Sequence, residues 1–472
     1  MNFTIPLHPE SKTPIYLQIY KYIKQEISQG TISVGTRLPS HRNLASQLNI
    51  SRITVESAYQ QLIAEGYVES KPKRGIFVAE VDIDIMPKSE SVASHKTKNT
   101  IEELYDYDCS QGLIDQKAFP ITNWKRALHE TLFQYEDKLF SKEDPQGEFV
   151  LREHISKYLY HARGVHSSPD QIIIGAGTQP LLWLLLQLLG SKKEYGIENP
   201  GFHRITAMIQ SSGLPGLPGL PVHPISLDEK GIRISALRES RSNVAYVTPS
   251  HQFPLGMIMP LSRRLELLRW ANDCGGYIIE DDYDGEFRYV GKPIPSLQGL
   301  DSNERVIYMG TFSKSFLPSL RMGYIVLPPH LLRAYKELGG MFKQTVSTLQ
   351  QLAFATFIHN GDWDRHLNRS RTLYKRKHTL LVKSIKNEIG SRVQILGEQS
   401  GLHIVLHVHN GMNEQELIHA AAKQRIKLYP LSTYDSVHNL REASYVLLGF
   451  GSIPENCIEN VVKLLKKVWF PN

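Results

Sequence analysis

The chain has 472 residues, 54 Lys and Arg against 47 Asp and Glu, a net charge of +7, and 41% hydrophobic residues. That length exceeds one ordinary domain, and the composition excludes a disordered, fibrous or disulfide-built protein. Three scattered cysteines, Cys109, Cys274 and Cys457, form no Cys-x-x-Cys pair, so neither a disulfide framework nor a metal site is expected.

The start, MNFTIPLHPESK, lacks a basic-then-apolar leader, and the longest apolar run, 181–189, is about half the roughly 20 residues that cross a bilayer. A cytoplasmic protein without membrane contact is expected, with that run as a buried helix. Residues 12–79 read as one compact unit. Over 14–29, Ile15, Ile19, Tyr22, Ile23 and Ile27 recur at helical spacing, and Gly30 follows as a stop. Ser40 is placed to cap a helix running to Leu48 that buries Leu44, Ala45 and Leu48. A turn, Asn49-Ile50-Ser51, leads to a second cap at Ser51. The helix it opens runs to about Glu65 and is expected to bury Val55, Ala58, Tyr59, Leu62 and Ile63. YVES-KPKRG-IFVA then predicts two short strands around a basic turn. The order is helix, helix, turn, helix, wing.

Residues 80–104 are polar and predict a flexible linker of about 25 residues, the other reading being an ordered edge of a neighbour. From 105 to the end, helical stretches alternate with short apolar strands: QIIIGAG, EYGIEN, NVAYVTPS, GYIIEDD, RVIYMGT and MGYIVLP. Such alternation predicts an α/β domain with a mostly parallel sheet. GLHIVLHVH and ASYVLLGFG, flanking a helical stretch at 413–424, predict a smaller α+β subdomain. The Gly-Leu-Pro triplet at 213–221 reads as an extended surface loop.

In a helix-turn-helix, the first residues of the second helix meet base edges in the major groove. Arg52 and Thr54 occupy those positions here, and Arg52 has the geometry to grip a guanine. Ser40, Arg42 and Ser51 are candidates for phosphate contacts. Lys71, Lys73 and Arg74 crowd the wing turn, where Gly75 permits close backbone approach to a phosphate track or minor groove. A generic three-helix adaptor with a solvated charge run is the bland alternative. The residues are more specific: R-L-P-S-H-R-N-L-A, I-S-R-x-T-V-x-x-A-Y, A-E-G-Y and P-K-R-G-I-F-V closely resemble the GntR-type winged helix-turn-helix over 14–78. His41 stands where that family usually has Glu.

A pyridoxal 5'-phosphate (PLP) site needs a lysine for the Schiff base, a carboxylate for the pyridine nitrogen and a phosphate cradle. GTFSKS sets Lys314 after an apolar strand among Thr311, Ser313 and Ser315, with Arg321 downstream. GYIIED ends at Asp281, a carboxylate that burial makes costly without a cationic partner. Tyr283 follows as a donor to a cofactor phenolate. In IIIGAGTQ, the amides of Gly177, Thr178 and Gln179 open a helix and suit an anion. Each motif alone is weak. Together, and in this order, they resemble the fold-type I aminotransferases, and more closely the MocR/GabR family, which joins a GntR-type reader to an aminotransferase-like domain. The resemblance covers nearly all of 105–470. It implies that Phe202 stacks on the cofactor ring, that His251 or Gln252 lies near the ring hydroxyl, and that Thr311, Ser313 and Arg321 bind the phosphate. It makes Arg204 a carboxylate-binding or site-lining arginine, and Arg441 either a late carboxylate-binding arginine or a solvated loop residue. It further implies a homodimer on double-stranded operator DNA, responding to PLP or a small amine or amino acid. The alternatives are a working PLP-dependent aminotransferase carrying an accessory DNA-binding domain and a binding protein with a dead site; intact Lys314 and Asp281 argue against the last.

Overall fold

The structure, a computed structural model, describes residues 5–8, 10, 11, 13–80, 105–213, 219–289, 294–338, 341–437, 440 and 443–471. Apart from Glu80, the expected linker lies outside the described residues, as do 214–218 of the Gly-Leu-Pro repeat. The chain divides into two compact units, Met1–Lys98 and Asn99–Asn472.

In the first unit, helices α1 (Ile15–Ser28), α2 (His41–Leu48) and α3 (Arg52–Ala64) precede an antiparallel hairpin of β1 (Val68–Lys71) and β2 (Gly75–Val78). Ser40 Oγ accepts from the Asn43 amide at 3.3 Å and Ser51 Oγ from the Thr54 amide at 3.2 Å, so both expected caps form. Between them Asn49 takes a left-handed φ of 53°, which its short polar side chain tolerates. Ile19, Ile23, Ile27, Leu44, Val55, Ala58, Tyr59 and Leu62 make the core. Tyr22 packs partly against this core, and Tyr20, outside the predicted stripe, is buried more deeply: its hydroxyl donates to Glu65 at 2.7 Å, and Lys24 joins the same carboxylate at 2.9 Å, pinning α1 to the end of α3. One expectation is corrected. Ile63 is 37% exposed because it sits on the flank of the stripe set by residues 55, 58, 59 and 62. Leu48 packs only at the core margin.

The second unit opens with β3 (Tyr107–Asp108). Its main sheet comprises β4 (Ile172–Gly175), β5 (Tyr195–Asn199), β6 (Val222–Asp228), β7 (Gly231–Ile232), β8 (Val244–Val247), β9 (Tyr277–Asp282), β10 (Val306–Thr311) and β11 (Gly323–Val326). The order across it is β4-β11-β10-β9-β8-β5-β6-β7. Strands β6, β5, β8, β9 and β10 run parallel, whereas β11 is antiparallel to β10 and β4, and β7 to β6. The direction of β11 was not legible, because a strand buried on both faces is the same apolar run either way. Alternate residues serve the two faces: Ile172 and Ile174 join a core with Leu151 and Phe354, and Ile173 joins another with Leu182 and Leu185. The apolar run at 181–189 belongs to the helix Thr178–Leu189, whose Leu181, Leu182, Leu184, Leu185, Leu186 and Leu189 are buried. No helix among the described residues is long and apolar enough to cross a membrane.

The smaller subdomain holds β12 (Val393–Leu396), β13 (His403–Val408), β14 (Ile426–Lys427), β15 (Tyr429–Pro430) and β16 (Tyr445–Gly449). Its antiparallel sheet has the order β12-β13-β16-β15, and β14 pairs with β3. Helices Asp362–Glu388, Glu414–Ala422 and Ile458–Trp469 cover it, the second within the stretch expected to be helical.

Candidate functional site

In the main sheet β4 and β5 follow one another in sequence, yet four strands lie between them. Such a reversal opens a crevice beyond the carboxyl ends of the strands. A cavity of about 180 Å³ lies there, lined by Gln111, Gly177, Thr178, Phe202, Ile205, Asp281, Tyr283, Thr311, Ser313, Lys314 and Arg321. Each strand end delivers part of it. Gly177 and Thr178 open the helix after β4, Phe202 follows β5, Asp281 lies at the end of β9 with Tyr283 just beyond it, and Thr311 ends β10 with Ser313 and Lys314 following. Gly177 has φ 89°, and an added Cβ there would lie 3.1 Å from Arg321 Nη2, so glycine allows both the turn and the approach of the guanidinium. A helix N-terminus, a threonine, a serine and an arginine thus converge on one side, a setting for a phosphate-like anion.

Lys314 Nζ donates to the carbonyl oxygen of Gln111 at 2.5 Å and to its side-chain Oε1 at 2.7 Å. Burial pushes its pKa down to about 8, against the opposing charge of Asp284. Asp281 is buried, and its Oδ2 accepts from the Tyr246 hydroxyl at 2.5 Å while its Oδ1 has no partner among the described residues. Burial, reinforced by Asp282 and Asp284, raises its pKa to about 7 despite the Tyr246 bond. A cation against Oδ1 would offset that burial and hold the carboxylate charged. Phe202 stacks on Phe253 at 4.0 Å and meets Tyr283 edge-on at 5.3 Å.

Not every expected residue reaches the cavity. His251 and Gln252 are absent from its lining. His251 lies behind Tyr283, its Nδ1 3.0 Å from the Tyr283 hydroxyl, and Gln252 donates instead to the backbone oxygens of Phe253 and Pro200. Gln179 and Arg204 are exposed on the first turns of their helices and do not line it either. Arg441 lies outside the described residues. Sequence reasoning missed Gln111 and Tyr246. Gln111 lies in an irregular stretch with no motif of its own, and Tyr246 reads as one apolar member of β8 until β9 is set beside it.

On the first unit, Arg52 and its neighbour Ile53 are exposed at the start of α3, Ile53 by 75%. Arg42, Lys73 and Arg74 are also exposed, and none of them or Arg52 has an ion-pair partner among the described residues. Lys71 is committed to Glu69 at 2.6 Å. Ser51 and Thr54 share a hydroxyl contact of 2.8 Å besides the cap, so both are partly occupied locally. Lys73 takes φ 60° in the wing turn, and Arg37, the first residue of the R-L-P-S motif, lies against Gly75.

Comparison with known proteins matches residues 15–78 to the bacterial regulatory proteins of the gntR family and residues 109–441 to aminotransferase class I and II. The chain is 44% identical to the uncharacterized HTH-type transcriptional regulator YhdI of Bacillus subtilis, over 100% of this chain and 99% of that one. It is 33% identical to the probable rhizopine catabolism regulatory protein MocR of Rhizobium meliloti, over 90% of this chain and 88% of that one. Among solved structures, kynurenine aminotransferase of Pyrococcus horikoshii superposes with a TM-score of 0.67 at 24% identity, over 76% of this chain and 90% of that one, a likeness of fold.

Proposed function

The chain belongs to the MocR/GabR-type family of DNA-binding transcription regulators, a GntR-type winged helix-turn-helix joined to a fold-type I aminotransferase-like domain, and we propose that its large unit binds PLP on Lys314 and signals a small amine to operator DNA. The observation that carries this reading is the convergence in one cavity of Lys314, the half-partnered Asp281 and the anion cradle of Gly177, Thr178, Thr311, Ser313 and Arg321.

The residues fit the group. The buried, unpartnered Oδ1 of Asp281 suits a protonated ring nitrogen, the cradle suits a phosphate, and Phe202 offers a flat apolar face. When bound, the cofactor supplies an aldehyde carbon and an electron-accepting ring. Lys314, with its pKa lowered to about 8, holds an appreciable neutral fraction near neutral pH and so presents a nucleophilic amine. Asp281 holds the ring nitrogen by its charge, with Tyr246 fixing the carboxylate's orientation. Arg321 and the helix start hold the phosphate. For an effector carboxylate the late-chain Arg441 is the proposed contact, since Arg204 does not line the cavity.

On DNA, Arg52 reads a base edge, Thr54 supports it, and Arg42, Lys73 and Arg74 hold phosphates, with Ser40 and Ser51 contributing mainly as caps. Exposed Ile53 suits a thymine methyl. A homodimer is the proposed assembly. Ile121, Leu132, Phe133, Phe140 and Phe149, large apolar side chains close in sequence, are all exposed, as a surface meant for a second copy would be.

The test is a titration of the full chain with PLP followed by absorbance, then candidate amines, then operator binding. Saturable binding with an adduct that borohydride traps on Lys314, and an amine that shifts DNA affinity, is expected. Sustained multiple turnover of amino donors and keto acids without effect on DNA would favour an aminotransferase with an accessory reader instead.

A further inference from the structure

Behind the cavity wall sits a group of buried polar side chains to which the proposed function assigns no role. His251 Nδ1 lies 2.9 Å from Asp284 Oδ2 and 3.0 Å from the Tyr283 hydroxyl. Both His251 and Asp284 are almost fully buried, at 1% and 2% exposure, and His251 Nε2 and Asp284 Oδ1 have no partner among the described residues. The ring of His403 packs 4.8 Å from that of His251, with its Nε2 3.0 Å from the Pro254 carbonyl. Ligand-type atoms of His251, Asp284 and His403 fall within 4.8 Å of one another. The packing does not favour an ion there. His251 Nδ1 and His403 Nε2 are already in hydrogen bonds, and a Cβ at Gly401 would lie only 1.9 Å from His251 Cε1.

One ring nitrogen faces two oxygens, and that decides the protons. If Nδ1 carries hydrogen, it donates to the Asp284 carboxylate and shares that hydrogen with the Tyr283 oxygen. The hydroxyl hydrogen of Tyr283 is then free to point away from His251, into the cavity that Tyr283 lines. If Nδ1 is bare, Tyr283 donates to it, and the lone pairs of Nδ1 and Asp284 Oδ2 face each other at 2.9 Å unless Asp284 takes a proton. An adjacent carboxylate favours the first arrangement.

We propose that Asp284 and His251 are positioning residues which keep the hydroxyl hydrogen of Tyr283 directed into the cavity, as a donor to the bound cofactor's ring oxygen. This rests on the reading that the cavity receives PLP. The groups around His251 are Asp284 and Tyr283 from the segment after β9 and His403 from β13; Lys314, after β10, interacts electrostatically with Asp284 and with His403. Burial, with His251 and Lys314 adding to it, holds His403 neutral, and burial with the neighbouring carboxylates keeps Tyr283 protonated. Of the two imidazoles, His251 is the one within hydrogen-bond reach of Asp284, at 2.9 Å, while His403 is spent on the Pro254 carbonyl.

The experiment has two readouts. In the full chain without cofactor, labelled with ¹⁵N-histidine and assigned against His251→Asn, nitrogen–proton correlation reports the His251 protonation. A hydrogen on Nδ1 is expected; a bare Nδ1 overturns the proposal. With PLP bound, the pH midpoint of the cofactor's absorbance change is compared in the unmodified chain, His251→Phe and His251→Asn. The Phe variant moves the midpoint by about one unit, and Asn, whose amide still donates where Nδ1 did, restores most of it. A midpoint unmoved by His251→Phe also overturns the proposal. Failure of the unmodified chain to bind PLP counts against the proposed cofactor alone, since the first readout decides the protonation without it.

Discussion

The reader and the cavity use charge in opposite ways. At the start of α3, Arg52 stands exposed, within one helical turn of the cap that positions it. In the cavity, Lys314 and Asp281 are shifted toward neutrality by burial, and their partners come from residue 111 and residue 246. A surface that binds a polyanion needs cations that cost little to hold in water. A site that holds a reactive group needs charges whose desolvation is offset only when a ligand arrives. The first can be written in a dozen consecutive residues; the second requires a sheet to bring distant strand ends together.

Substitutions can break or sharpen this contrast. The largest effect is expected from Lys314→Ala, which should abolish the borohydride-trappable PLP adduct while the reader still binds DNA; mass spectrometry of the reduced chain and an operator shift assay check the two halves. An adduct on another lysine would remove Lys314 from the centre of the site. Next, Arg52→Ala should lower discrimination between operator and random duplex by about 10- to 100-fold, equivalent to roughly 1–3 kcal/mol. Arg74→Ala should weaken both duplexes alike and lessen the salt dependence. Fluorescence anisotropy across salt concentrations separates the two, and equal losses for Arg52→Ala would deny it base reading.

A smaller effect tests the buried charge. Glu198 accepts from the amide and hydroxyl of Thr248, its Oε1 has no partner among the described residues, and burial raises its pKa from 4.5 to about 7. Its folded form therefore binds the proton more tightly than its unfolded form. That favours the folded state at low pH, and the contribution is lost as pH rises from about 4.5 through about 7. Glu198→Gln keeps an acceptor for Thr248 and removes the charge, so it should stabilise the protein at pH 8 by on the order of 1 kcal/mol and make little difference at pH 5. Denaturant unfolding at the two pH values checks it; a loss at pH 8 would mean that the charge itself is needed. Smallest is Lys71→Ala. Because Lys71 is already paired with Glu69, its removal should change DNA affinity by no more than about twofold, unlike that of Arg74.

The reader was legible nearly whole. Its caps at Ser40 and Ser51, its three helices and its wing follow from local chemistry, since a cap, a helical stripe and a turn are decided within a few residues. Two side chains departed from it: Tyr20 is buried through Glu65, 45 residues away, which no local pattern shows, and Ile63 turns to the flank of its helix. In the large unit the strands and the lysine, aspartate and tyrosine of the site could be read, because each lies at a strand end in a recognisable motif. His251 showed the limit. Its motif marks it for the site, but whether it touches the cavity or stands behind Tyr283 depends on how two loops pack.

The amino-acid sequence by itself therefore determined the order of elements and the two-unit plan, and set Asp281 and Lys314 at strand ends and Arg52 at a helix start, since local hydrogen bonding and apolar periodicity act over a few residues. Only the tertiary structure decided the reversed direction of β11, the grip of Gln111 on Lys314, the bond from Tyr246 to Asp281 and the place of His251. Those depend on which strand lies beside which, and burial then sets how much each charge costs.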